Sequence, residues 1–328
     1  MTAPAEASLQ ATLSSSLTAT LGPPRPLFYQ HGAYPLEDLP SHVRAASSVR
    51  RHGSRLVILQ DDVNALAVLD PASGKVQSLL LPSGPDGARV FDDARGTKRF
   101  KLDLEASIVL PDGTLVAFGS GSSEHREKVV TLAARKDAFP QLLRADEFYR
   151  ALRVHANARG ARLNIEGAVI QGERLRLLQR GGGKRGLAAW NAILDLPLET
   201  FIGWLDGRRS CPPVDRIVEV QLGDVEGVPF GFTDGAVTAD GRLAFVACAE
   251  DTEDPLRDGP VLGCRFGWID ADDRTAIMAP VVESDGRPTR LKLEGIETRV
   301  DDALVFDVVA DMDDGDRPAE IAELTIRE

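Results

Sequence analysis

The sequence predicts an all-β fold, a five-bladed β-propeller whose four-stranded antiparallel blades are closed into a ring by an N-terminal strand. Three observations support this prediction. A two-strand pattern recurs five times along the 328 residues, the copies are roughly 60 residues apart, and the last copy lacks one strand.

The repeat is clearest in RLNIEGAVIQGERLRLLQRG, residues 162–181. An acidic residue opens a short strand, a tight polar turn follows, and a second apolar strand comes next. Glu166 is the acid of this copy, and Gly167 gives the backbone room where strands crowd together. Related stretches are KLDLEASIVLPDGTLVAFG at 101–119, FGFTDGAVTADGRLAFVAC at 230–248, RLKLEGIETRVDDALVFDV at 290–308 and, more faintly, VRAASSVRRHGSRLVILQD at 43–61.

Two more strands follow the hairpin in most copies. Third strands end in an apolar residue and an aspartate, as in ALAVLD, AAWNAILD and GWID, and fourth-strand candidates are KVQSLLL, RIVEVQL and TAIMAPVV. Four antiparallel strands make one propeller blade. The blades are therefore predicted at residues 43–81, 101–142, 162–222, 230–283 and 290–328.

The spacing of the copies predicts insertions. Their starts lie 58, 61, 68 and 60 residues apart, at Ser47, Glu105, Glu166, Asp234 and Glu294. A compact blade needs only about 40–45 residues. Residues 137–153 have apolar side chains at helical spacing, and residues 197–207 have the pattern of a short helix that ends at a glycine.

The two ends of the chain are predicted to meet. The last copy stops after IAELTI, residues 321–326, while residues 11–21 alternate like a strand and belong to no copy. We expect residues 11–21 to be the outer strand of the last blade, which removes an open sheet edge. Residues 1–8 are expected to be a disordered tail; the alternative is a tail that includes the whole segment. Residues 1–328 would then form a single domain.

Charge and composition argue against several functions. The formal net charge is −12, from 50 acidic and 38 basic residues, which disfavours nucleic acid and anionic membranes as partners. No stretch approaches the ~18 apolar residues of a membrane span, and the N-terminus lacks a secretion-signal pattern. Three cysteines without metal-site spacing predict free thiols rather than a disulfide or a zinc site. A cytoplasmic location is expected.

The acid that opens each copy lies where the first strand of a blade lines the central channel. A partial ring of acids at one rim is therefore predicted from Glu105, Glu166, Asp234 and Glu294, with Ser47 in the fifth place. An arginine follows each acid by 19 to 23 residues, in a loop on the same face. These arginines are Arg126, Arg185, Arg257 and Arg317, and the first copy has Asp61, Asp62 and Asn64 instead.

The Glu/Arg pairs have two interpretations. Guanidinium groups bind carboxylates and phosphates through paired hydrogen bonds, so the rim could hold a small anionic or zwitterionic molecule. Alternatively, each arginine clamps the acid of its own blade. Loops 119–126 and 179–186 suit an anion, whereas the acidic loops 249–255 and 310–316 suit a hard cation such as calcium. His125 lies in a loop on this face and is a candidate general base.

NIEGAVIQGERLRLLQRGGG, with the preceding FYRALR, resembles an uncharacterised family of bacterial propeller proteins along most of the chain. The strand-opening glutamate–glycine pair is more distantly similar to propellers with the esterase-like activity of phytase and to gluconolactonase-type propellers. In the latter, such a glutamate ligates a divalent metal in the channel. The resemblance implies that Glu166 or Glu294 binds the metal. This sequence departs from that pattern in three ways. Alanine instead of glycine follows Glu105, and the fourth copy has Asp234 instead of a glutamate. The Asn and Asp ligands of the lactonases have no recognisable counterparts.

The predicted function is a divalent-metal-assisted hydrolase of a small anionic ester, phosphoester or lactone at the channel mouth, with calcium as a candidate metal. The alternative is a non-catalytic ligand- or protein-binding propeller in which the Glu/Arg pairs are structural clamps. Candidate metal ligands are Glu105, Glu166, Asp234 and Glu294. Candidate catalytic residues are Glu166, His125 and Arg185, and candidate anion-binding residues are Arg126, Arg257 and Arg317.

Overall fold

The computed structural model describes residues 3–135, 137–182, 185–186, 189–252 and 259–328. Within these ranges the chain is all-β, with two short helices, and its strands form the antiparallel runs typical of a propeller. Three strands come first: β1 (Ala5–Leu13), β2 (Thr18–Leu21) and β3 (Arg25–Pro26). Four short 3-10 turns lie at Pro35–Glu37, Pro85–Gly87, Lys98–Phe100 and Glu124–Arg126.

Two antiparallel sheets of four strands stand by themselves, each paired in chain order. The first consists of β4 (Ala46–His52), β5 (Arg55–Gln60), β6 (Ala65–Leu69) and β7 (Val76–Leu80). The second consists of β8 (Leu104–Val109), β9 (Leu115–Gly119), β10 (Lys128–Leu132) and β11 (Gln141–Arg144). The first two copies of the repeat therefore each form a separate antiparallel sheet of four strands.

The other three copies lie in one 14-stranded sheet that also includes β1, β2 and β3. The third copy forms β12 (Ile165–Gln171), β13 (Arg174–Gln179), β14 (Ala192–Pro197) and β15 (Arg216–Gln221). After a small ribbon of β16 (Asp224–Val225) and β17 (Val228–Pro229), the fourth copy forms β18 (Gly231–Val237), β19 (Leu243–Glu250), β20 (Val261–Ile269) and β21 (Ala276–Glu283). The fifth copy forms β22 (Lys292–Thr298), β23 (Val305–Asp311) and β24 (Glu320–Arg327).

The first strand of each copy contacts the first strands of its neighbours. These inner strands are β4, β8, β12, β18 and β22, and the contacts run from β4 to β8, to β12, to β18, to β22 and back to β4. Their opening residues are buried because neighbouring inner strands pack against them. A side chain at Gly167 would meet this crowding, since its Cβ would lie 3.0 Å from the Asp234 Cα.

The N-terminal strands join distant parts of the sheet. β2 pairs antiparallel with β24 and parallel with β21, which is the position expected of a closing strand. Residues 11–13, which were predicted to belong to that strand, pair with β21 as the end of β1. Residues 5–8 pair with β15, so the predicted disordered tail over residues 1–8 is wrong for these residues. Burial of Leu9 and Ala11 holds β1 in place.

The two helices are α1 (Asp146–Asn157) and α2 (Leu198–Leu205). The helix predicted over 137–153 starts later, because residues 141–144 pair with β10 as strand β11. Phe148 of α1 packs against Phe201 and Trp204 of α2, with ring centroids 5.7 and 5.2 Å apart. Among the described residues, no helix is long and apolar enough to cross a bilayer.

Cys248 and Cys264 form a disulfide bond. They are direct cross-strand partners on β19 and β20, so the prediction of free thiols is wrong for this pair. Their positions differ by 16 in the chain, and that spacing does not reveal the strand register that brings them together. Cys211 is a free, half-buried thiol.

Candidate functional site

Each inner strand carries a β-bulge near its start, where one residue is left out of the strand pairing. The register shifts place this bulge at Ser47, Glu105, Glu166, Thr233 and Glu294. A bulge re-aims a side chain away from the regular alternation of the strand. The five residues therefore occupy equivalent positions around the ring.

The fourth position is Thr233, not the Asp234 that the repeat alignment predicts. Phe232 pairs with Ala247 and Asp234 pairs with Val246, so Thr233 is the unpaired residue. Asp234 is equivalent to Gly167 and is fully buried. It lies outside the set of residues that line the cavity described below, so it is not a ligand in an acidic ring.

The two hydroxyl residues at bulge positions bind the neighbouring copy. The Ser47 Oγ donates to the Leu104 carbonyl at 2.5 Å, and the Thr233 Oγ1 donates to the Leu293 carbonyl at 2.6 Å. The glutamates at the other three positions line a cavity of about 600 Å³ at one mouth of the ring. We call it the mouth cavity. Its buried charged lining residues include Lys101, Asp103, Glu105, Glu166, Glu250, Lys292 and Glu294.

Arg180 supplies the guanidinium group among these glutamates. Its Nη1 lies 3.5 Å from Glu166 and 3.7 Å from Glu294, and its Nη2 donates to Glu250 at 2.9 Å. Arg180 follows directly after β13, at the inner end of that strand. One arginine thus faces carboxylates of the third, fourth and fifth copies.

Two lysines neutralise further carboxylates. Lys292 lies 2.9 Å from Asp313, 3.4 Å from Glu294 and 3.8 Å from Asp311. Lys101 lies 2.6 Å from both Asp61 and Asp103. The predicted anion-binding residue Arg126 lines the cavity. Its guanidinium group forms an ion pair with Asp103, at 3.0 Å, instead of with the predicted partner Glu105.

Among the described residues, the cavity lining has more carboxylates than cations, and burial raises the pKa of its three bulge-position glutamates. Desolvation raises the pKa of Glu294 to about 8, despite the nearby Lys292 and Arg180. Desolvation, together with Glu166, raises the pKa of Glu105 well above its usual range. Burial likewise raises the pKa of Glu166. A raised pKa favours the protonated form of these carboxyl groups, or a bound cation in place of the proton.

Asp61, Asp103 and Glu105 bring carboxylate oxygens within 4.8 Å of one another. We call them the carboxylate cluster. Oxygen donors at this spacing fit a hard divalent cation, although Lys101 contacts two of the three. The glutamates implied by the lactonase resemblance fit a metal less well, because Arg180 lies against both Glu166 and Glu294.

Several predicted site residues lie away from the mouth cavity. His125 is exposed and packs edge-on against Phe100, outside the cavity lining. Arg185 is half exposed and binds Asp251 at 2.6 Å, and Arg317 is exposed. Neither belongs to the lining. Arg257 lies outside the described residues. The predicted pairing of each acid with its own arginine is therefore not found for Glu105 or Glu166.

Sequence reasoning missed Arg180, Glu250, Lys101 and Lys292. A signal existed for the lysines: in KLDLE, Lys101 comes four residues before the acid, and in RLKLE, Lys292 comes two residues before it. Arg180 and Glu250 each stand at the end of the second strand of their copy. Pairing of that strand with the inner strand brings its end to the same mouth.

The fold and the site define a propeller-type β-protein with a charged cavity at one mouth of its ring. The chain belongs to the family of unknown function DUF6929, whose model matches residues 42–326. This agrees with its resemblance to an uncharacterised family. No curated protein matches the sequence.

The chain is similar to several solved structures at low sequence identity. The glutaminyl cyclase of Myxococcus xanthus has a TM-score of 0.47 at 10% identity, over 99% of this chain and 100% of its own. A putative exported protein of Bacteroides fragilis has a TM-score of 0.46 at 9% identity, and the match covers 98% of this chain and 100% of its own. A putative gluconolactonase has a TM-score of 0.37 at 12% identity, and the match covers 83% of this chain and 71% of its own. All three TM-scores lie below 0.5, so these likenesses say nothing about activity.

Proposed function

We propose that the protein is a single five-bladed propeller that binds a divalent cation in its mouth cavity and hydrolyses a small anionic ester, phosphoester or lactone there. The ring of contacts among the inner strands supports five blades, with β2 as the fourth strand of the fifth blade. The carboxylate cluster is the observation that carries the functional part.

The charges around the cluster support a cation with an anionic partner. Asp61, Asp103 and Glu105 offer oxygen ligands of the kind that calcium and magnesium prefer. A bound divalent cation polarises a carbonyl or phosphoryl oxygen and lowers the pKa of bound water. Lys101 and Arg126 contact the same cluster and would orient the anionic part of the substrate.

Glu166 is the candidate general base. It lines the cavity, accepts a hydrogen bond from the Asn164 side chain at 2.5 Å, and its pKa is raised by burial. A carboxylate with a raised pKa removes a proton from water more effectively at neutral pH than an ordinary one. His125 and Arg185 have no part in this proposal, because neither lines the cavity.

Calorimetric titration of the metal-free protein with calcium, magnesium and manganese tests the proposal. We expect Glu105→Gln to weaken binding at least tenfold, whereas Glu173→Gln, at an exposed hairpin turn, leaves it unchanged. Hydrolysis of 4-nitrophenyl acetate, 4-nitrophenyl phosphate and a small lactone is then measured with and without the bound metal. Absence of metal binding, or no metal-dependent hydrolysis of any of these substrates, contradicts the proposal.

A non-catalytic binding propeller is the second candidate. The observation that favours it is the pairing of Lys101 with Asp61 and Asp103, because this lysine compensates the cluster with a charge from the chain itself. In that case Lys101→Met destabilises the fold, and no added divalent cation restores the lost stability.

A further inference from the structure

Glu294 is buried in the mouth cavity without a hydrogen bond. Only 4% of the residue is exposed, and neither carboxylate oxygen accepts a hydrogen bond from any residue that the structure describes. Lys292 and Arg180 are close enough for charge attraction, at 3.4 and 3.7 Å, but not aligned as donors. An unsatisfied buried carboxyl group is costly.

Among the described residues, negative groups outnumber positive ones around Glu294. The carboxyl groups on this side of the cavity belong to Glu166, Glu250, Glu294, Asp311 and Asp313, and the facing cations are Arg180 and Lys292. Arg180 also hydrogen bonds to Glu250. An added positive charge is therefore attracted to this wall.

We propose that the wall at Glu294 binds the protonated amino group of a small-molecule ligand. An ammonium group has three donors and no acceptor, so it can satisfy both oxygens of one carboxylate. A neutral hydroxyl group supplies one donor and no charge. Burial also raises the pKa of Glu294, and a bound ammonium would favour the ionised form.

This inference deepens the proposed function, since it assigns an amine to the substrate class, but it uses a different wall. The cation ligands would be Asp61, Asp103 and Glu105, whereas the amine-binding residue is Glu294. The two walls can therefore be inactivated separately.

Calorimetry with three matched probes tests the inference in metal-free protein. The probes are 4-aminobutyrate, butylamine and butyrate, of which only the last lacks an amine. We expect both amines to bind at least tenfold more tightly than butyrate. We also expect Glu294→Gln, which keeps the side-chain shape, to weaken amine binding at least tenfold, whereas the control Glu173→Gln leaves it unchanged.

Equal binding of butyrate and 4-aminobutyrate by the wild-type protein overturns the inference, and this comparison does not depend on any variant folding. So does undetectable binding of both amines, or unchanged amine affinity in Glu294→Gln. Divalent-cation titration of the same variants separates the two proposals. Glu294→Gln should keep cation binding and lose amine binding, and Glu105→Gln should do the reverse.

Discussion

The guanidinium group of Arg50 and the carboxylate of Asp234 form a two-point ion pair in the centre of the ring. Nη1 donates to Oδ2 at 2.9 Å and Nη2 donates to Oδ1 at 2.8 Å. The same guanidinium donates to a carbonyl of every inner strand, at Val49, Ser107, Ala168, Gly235 and Ile296. One arginine therefore ties all five copies of the repeat together and fills the axis.

Removing one member of this pair should strongly destabilise the protein. Asp234→Asn removes the only carboxylate that is hydrogen-bonded to the buried guanidinium of Arg50 among the described residues, and Arg50→Met leaves five carbonyl groups without this donor. We expect either change to lower the free energy of unfolding by about 3–5 kcal/mol, the cost of breaking a buried ion pair. Urea denaturation measures the change.

The matched control for this prediction is an exposed pair. Arg287 binds Asp285 in a solvent-exposed turn, and Arg287→Gln should leave the urea midpoint unchanged. An Asp234→Asn protein as stable as this control would show that the axial pair is not a structural element.

Arg180 and Arg185 lie in the same loop but should behave differently. Arg180→Gln removes the cation that faces Glu166, Glu250 and Glu294. We expect this change to lower the free energy of unfolding by about 3–5 kcal/mol at pH 8. Arg185→Gln removes exposed contacts with the Asp251 carboxylate and the Glu226 carbonyl, so no measurable change in the free energy of unfolding is expected. Equal effects of the two changes in urea denaturation would contradict this assignment.

Lys101→Met should strengthen divalent-cation binding if the carboxylate cluster is a cation site. The lysine ammonium contacts two of the three carboxyl groups, so it competes with the cation for the same oxygens. We expect at least tenfold tighter calcium binding, about 1.4 kcal/mol or more, by calorimetry. Lys98→Met is the control, because Lys98 lies at the cavity but pairs with the exposed Asp93. Unchanged affinity in Lys101→Met would argue against a cation in this cluster.

The stability of the ligand-free protein should decrease between pH 5.5 and 8.5. Burial raises the pKa of Glu294 to about 8, whereas an unfolded glutamate titrates near pH ~4.3. The folded state therefore binds more protons in this window, and stability is lost as the pH rises through the folded-state pKa. Glu105 and Asp311, whose pKa values burial also raises, contribute in the same direction.

Glu294→Gln isolates one of these groups, because glutamine stays neutral. The variant should lose less stability than the wild type between the two pH values, as measured by urea denaturation at each. A slope equal to that of the wild type would contradict the prediction, because it would mean that Glu294 does not titrate between pH 5.5 and 8.5 in the folded protein.

Much of the secondary structure could be predicted from the sequence. The hairpins of all five copies, the short helix near residue 200 and the pairing of the N-terminal segment with the last strand follow from local patterns of apolar residues, turns and repeats. The glutamates Glu105, Glu166 and Glu294 were likewise placed at the mouth, because each opens an inner strand. In these cases the evidence is either a local pattern of residues or its recurrence along the chain.

The predicted site failed where a contact depends on the register between strands. Asp234 resembles the other strand-opening acids in sequence. However, the bulge is at Thr233, so the Asp234 side chain points toward the axis of the ring, where it pairs with Arg50. Arg180 rather than Arg185 faces the glutamates, and Cys248 meets Cys264 across two strands. A shift of one residue exchanges the faces of a strand, and sequence spacing does not specify that shift.

The sequence by itself determined the repeat, its strands and the end of the ring at which the charges gather. Only the tertiary structure decided which charges meet: Arg180 with carboxylates from three copies, Lys101 with the carboxylate cluster, and Arg50 with all five inner strands. The physical reason is that strand formation depends on neighbouring residues, whereas ion pairing depends on groups that only ring closure brings within a few ångströms.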